Sequence, residues 1–310
     1  MADHAGSPST SNLSPESVRA KPEKTVSARP AGPMKTFGDT PLLIGNPVFH
    51  REVAMRLSGR RMRRAGRVGM ALTLGVVLPL TYLIFIGNAL GPGSPLNVRS
   101  AAMVLEAVLL PVIAASLASG VFTSERERQT WNALLLSRLT APQIVIGKLA
   151  GALVPALLIL AALLPINLGI GVMADLPWRV QFVELACLLS TLTLSASIGT
   201  FWSWAVRRTQ SAQVFTTCTM LTLLLGSFIL HSLWRELNPN GDPYFGTIAN
   251  FVPHWFNPVV VLTELASNRV ALAGSGLAIA TFLAFATVAT TVFIAIPIRR
   301  LGKGPSEMEH

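Results

Sequence analysis

Six long apolar runs leave this chain few folds to choose from. They lie near Gly69–Leu90, Ala101–Thr123, Ile144–Met173, Val180–Val206, Ala212–Trp234 and Leu277–Ile298. About 20 apolar residues in an α-helix cross the ~30 Å hydrocarbon core of a bilayer. Hydrocarbon offers no partner to a backbone amide, so each run must close its own hydrogen bonds as a helix. The expected fold is therefore an all-α membrane protein with six transmembrane helices. Composition agrees: 13% of residues are charged, against about 25% in soluble domains. The run Ile144–Met173 is longer than a span needs. Pro155 and Pro165 within it predict kinks, or first turns lying in the interface.

The net charge is +10, and where it falls predicts the orientation. Arg51, Arg56, Arg60, Arg61, Arg63, Arg64 and Arg67, with Glu52 among them, precede the first run. Arg126, Arg128, Arg138 and Lys148 separate the second from the third. Arg207 and Arg208 separate the fourth from the fifth, and Arg299, Arg300 and Lys303 follow the sixth. The alternate loops hold only Arg99, Arg179, Arg235 and Arg269. Basic clusters mark cytoplasmic loops, so six spans place both termini in the cytoplasm of a multi-pass inner-membrane protein. Merging spans four and five would bury Arg207 and Arg208 at about +2.5–3.5 kcal/mol each, while a leucine gains only about 0.3–0.6. Basic clusters can also mark nucleic-acid binding. Here they flank apolar spans, and contact with anionic membrane lipid accounts for them without a nucleic acid.

Residues 1–41, rich in Ser, Pro, Ala and Lys, read as a disordered cytoplasmic tail. They lack the apolar core of a signal peptide, so the first span is the expected insertion signal. Residues 42–303 form the transmembrane domain, and 304–310 a short second tail. Asn46 followed by Pro47 is a helix start, with the asparagine as cap and the proline in the first turn. Phe49, Val53 and Leu57 then share one face of a basic amphipathic helix that includes Arg51 and Glu52. Such a helix lies in the headgroup plane, either to fix topology or to meet a partner. The loop 235–276 repeats the Asn-Pro start at Asn257-Pro258 and predicts short helices in the outer leaflet. Trp234 and Trp255 mark that interface, Trp202 and Trp204 the inner one. Cys187 and Cys218 sit in apolar runs and read as packed thiols.

Between spans two and three lies SERERQTWNALLLSRLTAPQIVIGK, Ser124–Lys148. Ser124 with Glu127 is a capping-box pattern that predicts a helix start. Trp131, Leu134, Leu135 and Leu139 recur at helical spacing as one apolar stripe. The opposed charges Glu125, Arg126, Glu127 and Arg128 offer hydrogen bonds to a protein surface. Pro142 stops this helix or starts the next. A polar helix against the membrane between two spans can receive force from a soluble partner.

No chemistry-bearing constellation stands out. GxxxxGK[ST], GxSxG, HExxH and CxxC are absent, and the five histidines are scattered. Neither a resident metal nor a cofactor is expected. Glu106, Glu184 and Lys148 are the ionisable residues within or beside spans. Near span ends such side chains snorkel to headgroups. The sharper reading has Glu106 and Glu184 lining a substrate path in the outer half of neighbouring spans. Gly147-x-x-x-Gly151 and Ser195/Gly199/Ser203 are small-residue patterns that let helices approach closely, within the chain or between subunits.

The segment Gly120–Leu153 resembles the ABC-2 type permease family, the membrane subunits of ATP-binding-cassette transporters. The resemblance lies in Glu125-Arg126-Glu127, Thr130, Leu134-Leu135, Ser137, Pro142 and Gly147-Lys148. Asn46-Pro47 with Arg51-Glu52 is similar to the start of these permeases. The resemblance implies a dimer of two permeases, with a second copy or a paralogue. It implies a separate ATP-binding subunit that carries the ATP and Mg²⁺, so the chain itself is no enzyme. It also implies a cytoplasmic coupling helix, formed here by Glu125, Arg126, Glu127, Arg128, Thr130, Trp131, Leu134 and Leu135, and usually export. The competing expectation is a membrane-embedded assembly or regulatory subunit that transmits ATPase work without moving a solute. In closed vesicles, Arg128→Cys should react with an impermeant maleimide only from the cytoplasmic side. Reaction from the exterior would reverse the topology.

Overall fold

The computed structural model describes residues 46–57, 95–137, 139–227 and 272–302. It adds short pieces at 75–76, 79–80, 82–83, 257–259 and 261–262 and single positions at 229, 233 and 236. Among the described residues the regular structure is entirely helical. In chain order the helices are α1 (Pro47–Leu57), α2 (Pro95–Ala118), α3 (Thr123–Glu127), α4 (Trp131–Leu135), α5 (Ala141–Met173), α6 (Trp178–Ala205), α7 (Thr209–Leu221) and α8 (Leu272–Leu301). α7 continues as a π-helical stretch, Thr222–Gly226. Four segments are long and apolar enough to cross a bilayer: Arg99–Glu127, Ala141–Met173, Trp178–Ala205 and Ile279–Leu301. The tail 1–41, most of the first expected span, most of residues 228–271 (Trp234 and Trp255 included), Arg138 and the tail 304–310 lie outside the described residues.

Local sequence explains where α5 begins and ends. Thr140 is extended (φ −74°, ψ 152°), and its N–H donates to Gln143 Oε1 at 3.0 Å, one arm of a capping box. Pro142 therefore starts this helix, in a first turn where an N–H would have no helical partner. At 33 residues α5 is about 50 Å long, well beyond the ~30 Å hydrocarbon thickness. Pro155 and Pro165 both lie inside the one helix. Beyond Met173 the chain turns at Asp175 (φ 52°), and Leu176 N bonds back to Gly171 O at 3.0 Å. This left-handed C-terminal turn satisfies an orphan helix carbonyl, and α6 then starts after Pro177.

α6 is central, packing against α2, α5, α7 and α8. Its apolar residues, such as Leu188 and Leu192, join Leu110 and Phe122, Ile159 and Leu163 of α5, and Phe282 of α8 in one buried cluster. α6 also buries Thr191, Ser195, Ser197, Thr200 and Ser203. A hydroxyl in that setting needs a partner. Thr191, Ser195, Ser197 and Thr200 each donate to the carbonyl four residues back, at 2.6–2.8 Å. The small pattern on α6 serves packing within the chain. A Cβ built on Gly199 would meet the Ala115 carbonyl and lie 2.9 Å from Ala118 Cβ. Val214, Leu225, Val288 and Val292 are exposed and form faces suited to lipid. Cys187 is buried as expected, but Cys218 is exposed on α7.

The second Asn-Pro start forms as read. Asn257 Oδ1 accepts from Val259 N at 2.9 Å. Its Nδ2 donates to Leu224 O at 3.0 Å, tying this start to the π-helical stretch. Gly199→Leu should destabilise the purified protein by about 1–3 kcal/mol or more by overpacking. Gly169→Leu, with nothing within 4 Å, should change stability by less than about 0.5 kcal/mol. Thermal melts in detergent compare the two, and equal shifts would contradict this packing.

Candidate functional site: two buried charge networks

One end of the bundle is organised by α1 lying against α5. Asn46 Oδ1 accepts from Val48 N at 3.0 Å, capping α1 as read from the sequence. Asn46 Nδ2 donates to Gln143 O at 2.8 Å, pinning that cap to the first turn of α5. Close approach is possible because the facing residues of α5 are glycines. A Cβ on Gly147 would lie 2.8 Å from Asn46 Nδ2, and one on Gly151 2.5 Å from Glu52 Cβ. The face of α1 turned inward is thus Val48 and Glu52, both buried, not the stripe Phe49–Val53–Leu57. Phe49 and Val53 are half-buried, and the Leu57 side chain lies outside the described residues.

Glu52 reaches Lys148, whose Nζ stands 2.8 Å from Glu52 Oε1 and 3.3 Å from Glu125 Oε1. The same Nζ donates to Val121 O at 3.3 Å and lies 5.9 Å from the Phe122 ring centroid. Lys148 is 1% exposed, so the snorkelling expected of it does not occur; two carboxylates replace the headgroup region as its partner. Arg51, at 3.8 Å from Glu125, and Arg56, at 3.5 Å from Glu52, complete the cluster. Arg56 Nη1 also donates to Leu117 O at 3.1 Å. Burial lowers the Arg56 guanidinium from its ordinary value, and the Glu52 charge opposes that shift. Lys148 joins α1, the turn after α2, α3 and α5 at one atom.

The loop after α2 departs from the expected single helix. Gln129 adopts φ 58° and divides the segment into the five-residue helices α3 and α4. The Ser124–Glu127 capping box does not form. Ser124 N is already bonded to Gly120 O at 3.1 Å, because the chain arrives from α2 by way of a turn. Ser203 of α6 serves the start of α3 instead, its Oγ accepting from Phe122 N at 2.8 Å and Thr123 N at 3.2 Å. Glu127 Oε1 accepts from Thr209 N at 2.8 Å, where α7 begins. Arg126 Nη1 donates to Val206 O at 2.9 Å, with its guanidinium 4.9 Å over the Trp131 ring. Thr130 Oγ1 donates to Glu125 Oε2. Trp131 and Leu134 of α4 pack on the core as the stripe predicts; Leu139 packs there too, but from beyond the end of α4 and not on one helical stripe; the Leu135 side chain lies outside the described residues. Arg128, Gln129, Asn132 and Leu136 remain exposed, Leu136 at 85%.

The second network lies at the far end of α5. From Lys148 to Asn167 is 19 residues, a rise of about 28 Å, close to the hydrocarbon thickness. Arg99, expected in a loop, is in α2 and 2% exposed. It grips Glu184 of α6 with both arms, Nε to Oε1 at 3.1 Å and Nη2 to Oε2. Its Nη1 donates to Asn167 O at 3.3 Å. Asn167 Nδ2 donates to Glu106 Oε2 at 2.8 Å and Oε1 at 3.1 Å. Glu106 and Glu184 are 0% and 1% exposed. They do not snorkel; a two-carbon stem cannot reach water from there, and each finds a donor inside. A cavity of about 350 Å³ opens beside this network, lined by Arg99, Glu184 and Asn167 but not by Glu106. The partners Glu52, Arg99 and Ser203 carried no sequence signal pairing them with residues about a hundred positions away.

Among the described residues no group of His, Cys, Asp and Glu could hold a metal ion. Lys148→Met should cost up to about 3–5 kcal/mol, because it removes the buried cation that Glu52 and Glu125 share and leaves them only Arg56 and Arg51, at 3.5 and 3.8 Å. Adding Glu52→Gln should recover part of that loss. A double-mutant cycle on thermal stability measures the coupling, and additive losses would show that the pair does not interact.

A sequence model of the ABC-2 family transporter proteins matches residues 17–304. No curated protein matches the chain.

Proposed function

We propose, since this chain belongs to the ABC-2 family of transporter proteins, that it is the permease subunit of an ATP-binding-cassette exporter. It crosses the inner membrane six times with both termini in the cytoplasm. It pairs with a second permease copy or a paralogue and forms the membrane path. A separate ATP-binding subunit, holding the ATP and Mg²⁺, docks on the loop between α2 and α5. The family supports the class; the loop supports the coupling.

The observation that carries this reading is the way the exposed loop is tied to the spans. Arg128, Asn132 and Leu136 present a free surface with an apolar tip. Behind it, Glu125 holds Lys148, and through it Glu52 of α1. Arg126 and Glu127 hold the corner between α6 and α7. Displacement of the loop therefore acts on α1, α5, α6 and α7 together, as closure of a docked ATPase would require. Charged contacts orient the partner, and an apolar residue entering a partner pocket supplies much of the affinity.

Leu136→Asp combined with Arg128→Glu should weaken co-purification with the ATP-binding subunit at least tenfold, about 1.4 kcal/mol, without lowering the melting temperature. Unchanged co-purification would place the docking surface elsewhere. Solute flux in vesicles holding the complex separates a permease from a subunit that transmits work without transport. ATP hydrolysis by the purified chain alone would refute the division of labour.

A further inference from the structure

The cavity beside Arg99 and Glu184 has a chemistry of its own. Its walls come from α2, α5 and α6 and include Met103, Leu160, Leu164, Leu185 and Leu188. Charged residues line it, yet they offer a ligand little. Both Arg99 arms that face Glu184 are taken by its two oxygens, and the third nitrogen is on the Asn167 carbonyl. The side chains of Arg99 and Glu184 are each 2% exposed. An ionic ligand would have to break this pair; an apolar one needs only to fill space. The volume, about 350 Å³, lies at the lower end of small-molecule sites, about 300–1,000 Å³.

The mouth of the cavity adds direction. Trp178 and Phe182, 66% and 62% exposed, line it from the first turns of α6 and stack edge to face with centroids 5.7 Å apart. Aromatic side chains at the end of a span mark the membrane interface. Next to them Arg179 lies 5.6 Å over the Trp178 ring, and exposed Asp175 occupies the turn before α6. The site thus has a hydrocarbon-like interior and a polar rim at interface depth. Gly171 keeps the inner wall in place: a Cβ there would lie 2.6 Å from Arg99 Nη1 and 2.7 Å from Gln181 Cδ.

We infer that this cavity binds the hydrocarbon chain of an amphiphile, with the chain between α5 and α6 and the headgroup at the Trp178 rim. The inference rests on the permease reading only for the claim that such an amphiphile is the transported class. Binding itself requires neither ATP nor a partner.

The test uses the full chain in phosphatidylcholine nanodiscs and a fatty acid carrying a diazirine near the end of its chain. Photolabelling should concentrate on Met103, Leu164 and Leu188 and saturate with probe. Leu164→Trp, which fills the cavity from α5, should cut labelling there at least tenfold and leave labelling of Val214 and Val288 unchanged. Leu185→Trp repeats the test from α6 should the first variant fail to fold. Excess unlabelled fatty acid should compete. Competition by a neutral alkane of the same chain length as strong as that by the fatty acid would make the headgroup irrelevant and overturn the amphiphile assignment. Labelling spread evenly over the lipid-facing residues, or unaffected by both tryptophans, would overturn the site. Failure here leaves coupling to the ATP-binding subunit standing. Labelling without flux in vesicles would sink the transport claim alone.

Discussion

An ammonium group at 1% exposure persists only where negative charge surrounds it, because an unpaired buried ion costs several kcal/mol. Lys148 obtains that charge from Glu52 and Glu125, which lie 96 and 23 residues away in sequence. The requirement forces α1 to lie on α5 and fixes the loop after α2 beside them. Much else at that end follows. Gly147 and Gly151 must be small because α1 comes so close. Asn46 can serve as cap and latch at once because the first turn of α5 is within its reach.

The network at the far end obeys the same rule with different parts. There a guanidinium meets a carboxylate in a bidentate pair, a geometry that a lysine could not supply. Asn167 lies between that pair and Glu106, offering its backbone carbonyl to Arg99 and its side-chain amide to Glu106. α5 carries a member of each network, and α2 runs from Arg99 toward the loop bearing Glu125. The two ends are therefore connected by continuous helices rather than by flexible chain, and movement at one has a stiff route to the other.

The sequence made some of this legible and withheld the rest for identifiable reasons. Apolar run length predicts four of the helices suited to spanning, because a span is a local property of about 20 residues. The Asn-Pro starts at 46 and 257 and the role of Pro142 are also local, and the structure bears them out. The Ser124–Glu127 cap fails although its pattern is present, since pattern alone does not show that the preceding turn already uses the Ser124 amide. The snorkelling assigned to Glu106, Glu184 and Lys148 fails for the converse reason. Whether an ionisable side chain turns outward depends on an inward partner, and Asn167, Arg99 and Glu52 sit 61, 85 and 96 residues from theirs. Gln129 carries no residue-type warning of a positive φ, yet it divides the expected helix between α3 and α4.

The widened turn Thr222–Gly226 carries a consequence for the helix that contains it. A π segment holds one residue more per bond than its α-helical flanks. Expelling that residue would spin everything beyond it by about 100° and carry the Leu224 oxygen away from the amide of Asn257. Intermediate angles satisfy neither bonding pattern. In the wide register the Asn257 amide meets the Leu224 oxygen at 3.0 Å, so one side chain from a distant part of the chain reads the state of the turn.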